Sequence, residues 1–279
     1  MAEGENIMQS VKITVEKSRK LMYNNAERGD NSKMTDNLPR SIWPARFQIL
    51  SGSALKLLAI LTMLIDHTGF IILSKCPGAM QPLFYLGEKG FSLYRISRDI
   101  GRMAFPIYAF LLVEGFMHTK NRKMYAWSLF LFACISELPW NYAHTYTLHY
   151  EKQNVFFTLF LGFMAYCALE YFWENQRMQL LCILGLFTVS WYLKADYGWK
   201  GFIFLLIMYW FRYEKLVQAV VGSSWLYYEW KACFAYIFIN MYNGKRGFIK
   251  GKALKYFFYA FYPVHLLLLA LICRYVLLL

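Results

Sequence analysis

Charge is scarce in this sequence. Asp, Glu, Lys and Arg make up 17% of its 279 residues, where a soluble domain carries about a quarter. Acids are the scarcer sign, 17 against 30 Lys and Arg, for a net charge of +13. The six cysteines, Cys76, Cys134, Cys167, Cys182, Cys233 and Cys273, contain no CxxC or CxxxC spacing. That excludes a readable zinc knuckle or disulfide framework, and no metal site is expected. Extended polar stretches are missing after Ser51, which leaves no room for a soluble domain there. A signal-peptide pattern is missing too: residues 1–46 are polar, of mixed sign and too long for a charged leader, so no cleaved leader is expected.

What is present is apolar and aromatic. Hydrophobic residues reach 58% and aromatics 20%, with 22 Tyr, 24 Phe and 9 Trp. Tyr and Trp suit the headgroup zone, where ring and polar tip are both satisfied. The cations gather in short runs beside apolar stretches, Lys120, Arg122 and Lys123 in one and Lys245, Arg246, Lys250, Lys252 and Lys255 in another. This is the pattern of cytoplasmic loops on a membrane protein, and no nucleic-acid partner is expected.

The chain divides into a flexible polar cytoplasmic tail over 1–50, with a short amphipathic stretch at 11–22, and a transmembrane domain over 51–279. Residues 54–74 are long enough to cross about 30 Å of hydrocarbon at about 1.5 Å per residue. Residues 77–99 read as a loop with an interfacial or re-entrant segment. Further crossings are expected at 100–119, 124–142, 154–173, 179–193 and 198–211. Residues 216–228 and 232–242 make two thin crossings or a broken pair, and 256–274 the last. The fold class is an all-α, polytopic transmembrane helix bundle of about nine helices (eight to ten) in the cell membrane, its N-terminus cytoplasmic. Lys89, Arg95, Arg98 and Arg102 sit awkwardly outside on this topology.

An ionisable side chain at the bilayer centre costs about 3 kcal/mol, so each one needs a reason. Asp66 and His67 lie past the middle of the first span. Arg102, Glu114 and His118 occupy the second, the last two on one helical face. Glu137 lies near the end of the third, Asn154 opens the fourth, Asp196 the sixth, and Tyr262 and His265 fall mid-depth in the last. Singly these are packing or capping residues, Asn154 and Asp196 being placed like N-caps. Together they come from at least five spans, as a polar cavity inside a bundle requires. His144 and His149 read as solvated loop residues.

The stretches Thr62-Met63-Leu64-Ile65-Asp66-His67-Thr68-Gly69, Ile100-Gly101-Arg102-Met103-Ala104-Phe105-Pro106 and His118-Thr119-Lys120-Asn121-Arg122 resemble the TraX family of membrane proteins. So do Ser136-Glu137-Leu138-Pro139, Asn154-Val155-Phe156-Phe157-Thr158, Ala195-Asp196-Tyr197-Gly198 and Phe261-Tyr262-Pro263-Val264-His265, in that order. The family's named member is implicated in acetylating the N-terminus of a conjugative pilin. The resemblance therefore implies acyl transfer from acetyl-CoA, as co-substrate, to a protein, glycan or lipid acceptor at the bilayer. On that reading His67 is the general base, with His265 competing for the role and Asp66 orienting the ring. Arg102, with Asn154 or Tyr262, serves the oxyanion. Lys120, Arg122, Lys123, Lys245 and Arg246 are the cations available to the phosphates of the donor. Two rivals fit the same residues: a proton- or ion-coupled transporter, whose relays also use buried Asp, Glu and His, and a structural membrane subunit of a conjugation or secretion apparatus.

Overall fold

The computed structural model describes residues 41–249 and 251–277. Most of the expected tail, including 11–22, lies outside the described residues. Helix α1, Gly52–Ile71, starts at Ser51, whose hydroxyl accepts from the Ala54 amide at 3.2 Å. Such a cap satisfies one of the amides a helix start leaves free. A 3-10 turn, Leu73–Lys75, and a single helical turn α2, Pro77–Met80, follow. Residues 77–99 then depart from the expected loop. They form an antiparallel hairpin, β1 Pro82–Leu86 and β2 Lys89–Ser92, and a helix α3, Leu93–Gly101.

The backbone turns at Arg102–Met103 into α4, Ala104–His118. Helix α5, Arg122–Thr145, is capped by Asn121 and runs on through Pro139, three residues beyond the expected 124–142. His144 is therefore helical, its ring packed between Trp140, Tyr150 and Phe70, and not a solvated loop residue. Then come α6 Val155–Tyr171, α7 Gln176–Leu193, α8 Gly198–Trp210 and α9 Lys215–Trp225. The 3-10 run Tyr227–Phe234, α10 Ala235–Asn240 and α11 Lys252–Leu271 complete the order, with Ile272–Val276 as a π-helical turn.

Among the described residues, three stretches are long and apolar enough to cross a membrane: Gly52–Lys75, Leu93–His118 and Ala253–Val276. Val155–Tyr171 and Gly198–Trp210 are shorter apolar helices. The two thin segments form a broken up-and-back pair. Helix α9 returns along α8 until the Trp225 indole donates to the Lys200 carbonyl at 2.9 Å. Helix α10 then leads to Tyr242, whose segment bridges Leu50, just before α1.

Helix α4 is the hub, packed on α1, α6, α8 and α10. Phe105, Phe110 and Phe116 of α4 are buried together with Phe163 of α6 and Phe202 and Phe204 of α8. The start of α1 is clasped by the segment after α10. Gly52 and Ser53 donate their amides to the carbonyls of Lys245 and Arg246 at 2.8 and 2.9 Å. Glycines set the closest helix approaches. Gly101 of α3 lies directly against the Asp66 side chain, and Gly69 of α1 against Ser97, where a Cβ at either would overlap its neighbour.

Candidate functional site

A cavity of about 90 Å³ opens among α1, α3, α4, α6, α11 and the α7–α8 connection. That volume is several times what one water needs, so the space is roomy enough to be wet. Asp66, His67, Asp196, Tyr197 and Tyr262 line it among apolar and aromatic side chains such as Met63, Phe105 and Phe156.

His67 and His265, 198 positions apart in sequence, meet here. Nδ1 of His67 lies 2.6 Å from Nε2 of His265, with ring planes 22° apart. Nδ1 of His265 in turn lies 2.6 Å from the carbonyl oxygen of Phe261. A carbonyl only accepts, so the proton on that nitrogen belongs to His265. Neutral His265 then presents Nε2 as an acceptor, and His67 must donate from Nδ1. What remains is Nε2 of neutral His67, a free lone pair on a residue that lines the cavity. One backbone carbonyl thus assigns both tautomers. The two histidines, rivals for one role in the sequence, act in series.

Asp66, beside them, is held by Arg98 rather than Arg102. Nη1 of Arg98 is 2.6 Å from Oδ2, while Oδ1 is buried with no hydrogen-bond partner. Arg102 pairs with Glu229 at 3.2 Å and also touches the Tyr197 hydroxyl. Lys231 pairs with Asp99. Of the cations that sat awkwardly in the sequence, Arg98 and Arg102 are therefore matched by acids from α1 and the 3-10 run after α9.

The Ala195-Asp196-Tyr197-Gly198 turn places the opposite wall. Tyr197 and Gly198 both have positive φ, 62° and 47°. For Tyr197 this is an uncommon, strained geometry. It lays the ring flat on Phe105, with centroids 3.9 Å apart. Asp196 is no N-cap: Oδ1 accepts from the adjacent Tyr197 amide at 3.1 Å, and its backbone is fixed to Gln153 and Thr158. Burial raises the Asp196 carboxyl to about 6.

Asn154 is an N-cap, its Oδ1 accepting from the Phe156 amide at 3.0 Å. Its Nδ2 donates to Glu137 at 2.6 Å and to the Ala133 carbonyl at 2.8 Å. Glu137 and Asn154 therefore fasten the start of α6 to α5, one layer behind the cavity. Tyr262 faces the first amide of α6, at Val155.

Glu114 and His118 lie at the other end of the bundle. Their side chains approach to 3.8 Å, and the His118 ring also bonds the Glu114 carbonyl. Arg122 is paired with Glu170 at 2.8 Å, while Lys120, Lys123, Lys245 and Arg246 are exposed. This cationic end surrounds the start of α1, about 20 Å along the helix from His67 at 1.5 Å per residue. Glu114 and His118 thus stand with these cations, apart from the cavity at His67. Sequence reasoning missed Arg98, Tyr197 and Glu229. Tyr197 stood within a quoted stretch, and Arg98 lies one turn before Arg102 in an amphipathic helix.

Apolar helices of membrane length, packed about a small cavity beside a hydrogen-bonded histidine pair, define a helical protein of the membrane-associated class. A family model described as "TraX protein" matches residues 51–273, and the chain belongs to the TraX family. It is 28% identical over 250 residues to the "Probable fimbrial assembly protein FimC, serogroup H1" of Dichelobacter nodosus, covering 78% of this chain and 94% of that protein. No solved structure matches it.

Proposed function

We propose that the protein is a multi-pass membrane acyltransferase that moves an acetyl group from acetyl-CoA to an amine or hydroxyl at the cell envelope. The observation that supports this reading is the free Nε2 of His67, set in a small polar chamber by the chain from Phe261 through His265. Nε2 removes a proton from the acceptor as its nitrogen or oxygen attacks the thioester carbonyl. The new C–N or C–O bond forms, the C–S bond breaks, and the CoA thiolate leaves and takes up a proton. Tyr262, which lines the cavity, is the donor near the developing oxyanion, and Arg102 is committed to Glu229 and Tyr197. Asn154 is committed to Glu137 and the α6 cap, so it drops from that role. Asp66, carrying its unpaired Oδ1 beside the pair, favours the imidazolium that forms.

On this reading the exposed cations at the far end, Lys120, Lys123, Lys245 and Arg246, take the donor's phosphates. The end that carries them faces the cytoplasm, and the donor arm reaches inward along α1. A second reading, an assembly subunit without chemistry of its own, draws on the name of the fimbrial relative. The two separate in purified protein given acetyl-CoA and an amine or hydroxyl acceptor. His67→Ala abolishes transfer on the enzyme reading. His265→Ala lowers it by about 10²-fold or more, the usual scale of general-base assistance. Equal acetyl transfer by wild type and both variants removes the proposed base, and no transfer above background by the wild type favours the subunit.

A further inference from the structure

The hairpin between α2 and α3 serves neither the cavity nor the core. Its turn is a two-residue Gly87–Glu88 connection with Gly87 at φ 61°, the geometry a tight hairpin needs at that position. Strand β1 carries four consecutive large apolar residues, Leu83, Phe84, Tyr85 and Leu86, each between 51% and 72% exposed. Leu83 falls at a break in the pairing register, and beyond it alternation puts Tyr85 on one face and Phe84 and Leu86 on the other. A strand washed by water has at least one polar face, and this one has none. A second β-strand or a partner's groove would cover one face and leave the other bare, whereas immersion covers both.

Three features of the chain say what covers it. The hairpin lies between the ends of two membrane-length stretches, Gly52–Lys75 and Leu93–His118, so connectivity keeps it near a membrane surface. Its apolar tip includes Phe and Tyr rings, which favour the headgroup zone. Lys75 and Arg95 stand at its base and Lys89 beside its turn, against the single acid Glu88 in the turn, cations in position to meet lipid phosphates.

We propose that the β1–β2 hairpin is a membrane-interface arm, whose tip residues Leu83–Leu86 are buried in the phospholipid headgroup layer on the side where α1 ends. The arm continues into the site. The Ser92 hydroxyl at the end of β2 caps α3 through the Arg95 amide at 3.2 Å, and α3 carries Arg98 onto Asp66. Lipid contact at the tip thereby steadies the helix that forms one edge of the cavity. The inference rests on the membrane reading alone and is independent of acyl transfer.

The test is site-specific photocrosslinking of the full chain in phospholipid nanodiscs, with benzoylphenylalanine replacing Tyr85 in one variant and Leu61 in another. Leu61, 57% exposed midway along α1, reports hydrocarbon. The expected result is a phospholipid adduct, identified by intact mass, at Tyr85 in a yield comparable with Leu61. A lipid adduct at Leu61 together with protein adducts, or none, at Tyr85 overturns the arm and leaves the membrane reading standing. Absence of lipid adducts at both positions overturns the two together.

Discussion

At the scale of single residues, the site is governed by which partner each buried group finds. Asp66 illustrates this. With Arg98 on one oxygen and no hydrogen-bond partner on the other among the described residues, the carboxylate is half satisfied. Removing either partner strands the other in a low-dielectric setting. Arg98→Met is therefore expected to lower stability by about 3 kcal/mol, and the double variant Asp66→Asn, Arg98→Met to recover part of that loss. Thermal unfolding of the detergent-solubilised variants reads the difference directly. Equal losses in single and double variants would mean the pair is not coupled. The histidine pair follows the same logic in protons: a backbone carbonyl that accepts one hydrogen bond decides where the free lone pair appears, one residue away.

At the scale of elements, small residues decide the distances. Gly101 lets α3 lie against Asp66, and Gly69 admits Ser97 of the same helix. Gly101→Ala is expected to push α3 off α1, costing about 1–3 kcal/mol through overpacking and loosening the Arg98–Asp66 pair. Gly185, with open space where its Cβ would stand, is the matched control and should leave the melting temperature unchanged when replaced by Ala. The Tyr197–Gly198 turn works by the opposite means, holding a strained backbone so that an aromatic ring and Asp196 close the cavity wall. Neither device shows in hydrophobic periodicity. The length of α5 beyond Pro139 does not either, because a proline that loses one helical hydrogen bond is tolerated where packing around it supplies the rest.

At the scale of the whole molecule, the chain is polarised. Lys120, Lys123, Lys245 and Arg246 share the end where α1 begins and α4 stops, while the hairpin and the connection after α5 lie at the other. If the bundle crosses the bilayer, cysteines introduced singly at Lys120 and Lys245 react with an impermeant maleimide from one side only. Cysteines at Leu148 and Glu151, both exposed in the connection after α5, react from the opposite side. The measurement needs a chain cleared of its six native cysteines, and labelling of all four positions from one side would reject the arrangement.

The sequence by itself determined that the chain is helical and apolar, that 54–74, 100–119 and 256–274, among about nine expected crossings, overlap membrane-length stretches, and which family it resembles, because hydrophobic length and local motifs are properties of contiguous residues. It also singled out Asp66, His67, Asp196, Tyr262 and His265, since an ionisable or polar group inside an apolar run is conspicuous wherever it packs. Pairing was decided by the tertiary structure alone. That Arg98 and not Arg102 holds Asp66, that Glu137 fastens Asn154 behind the cavity, and that the two histidines are linked and not alternatives all depend on contacts between distant segments. Those contacts follow from how helices cross and where glycines let them approach, and one-dimensional spacing carries no record of either.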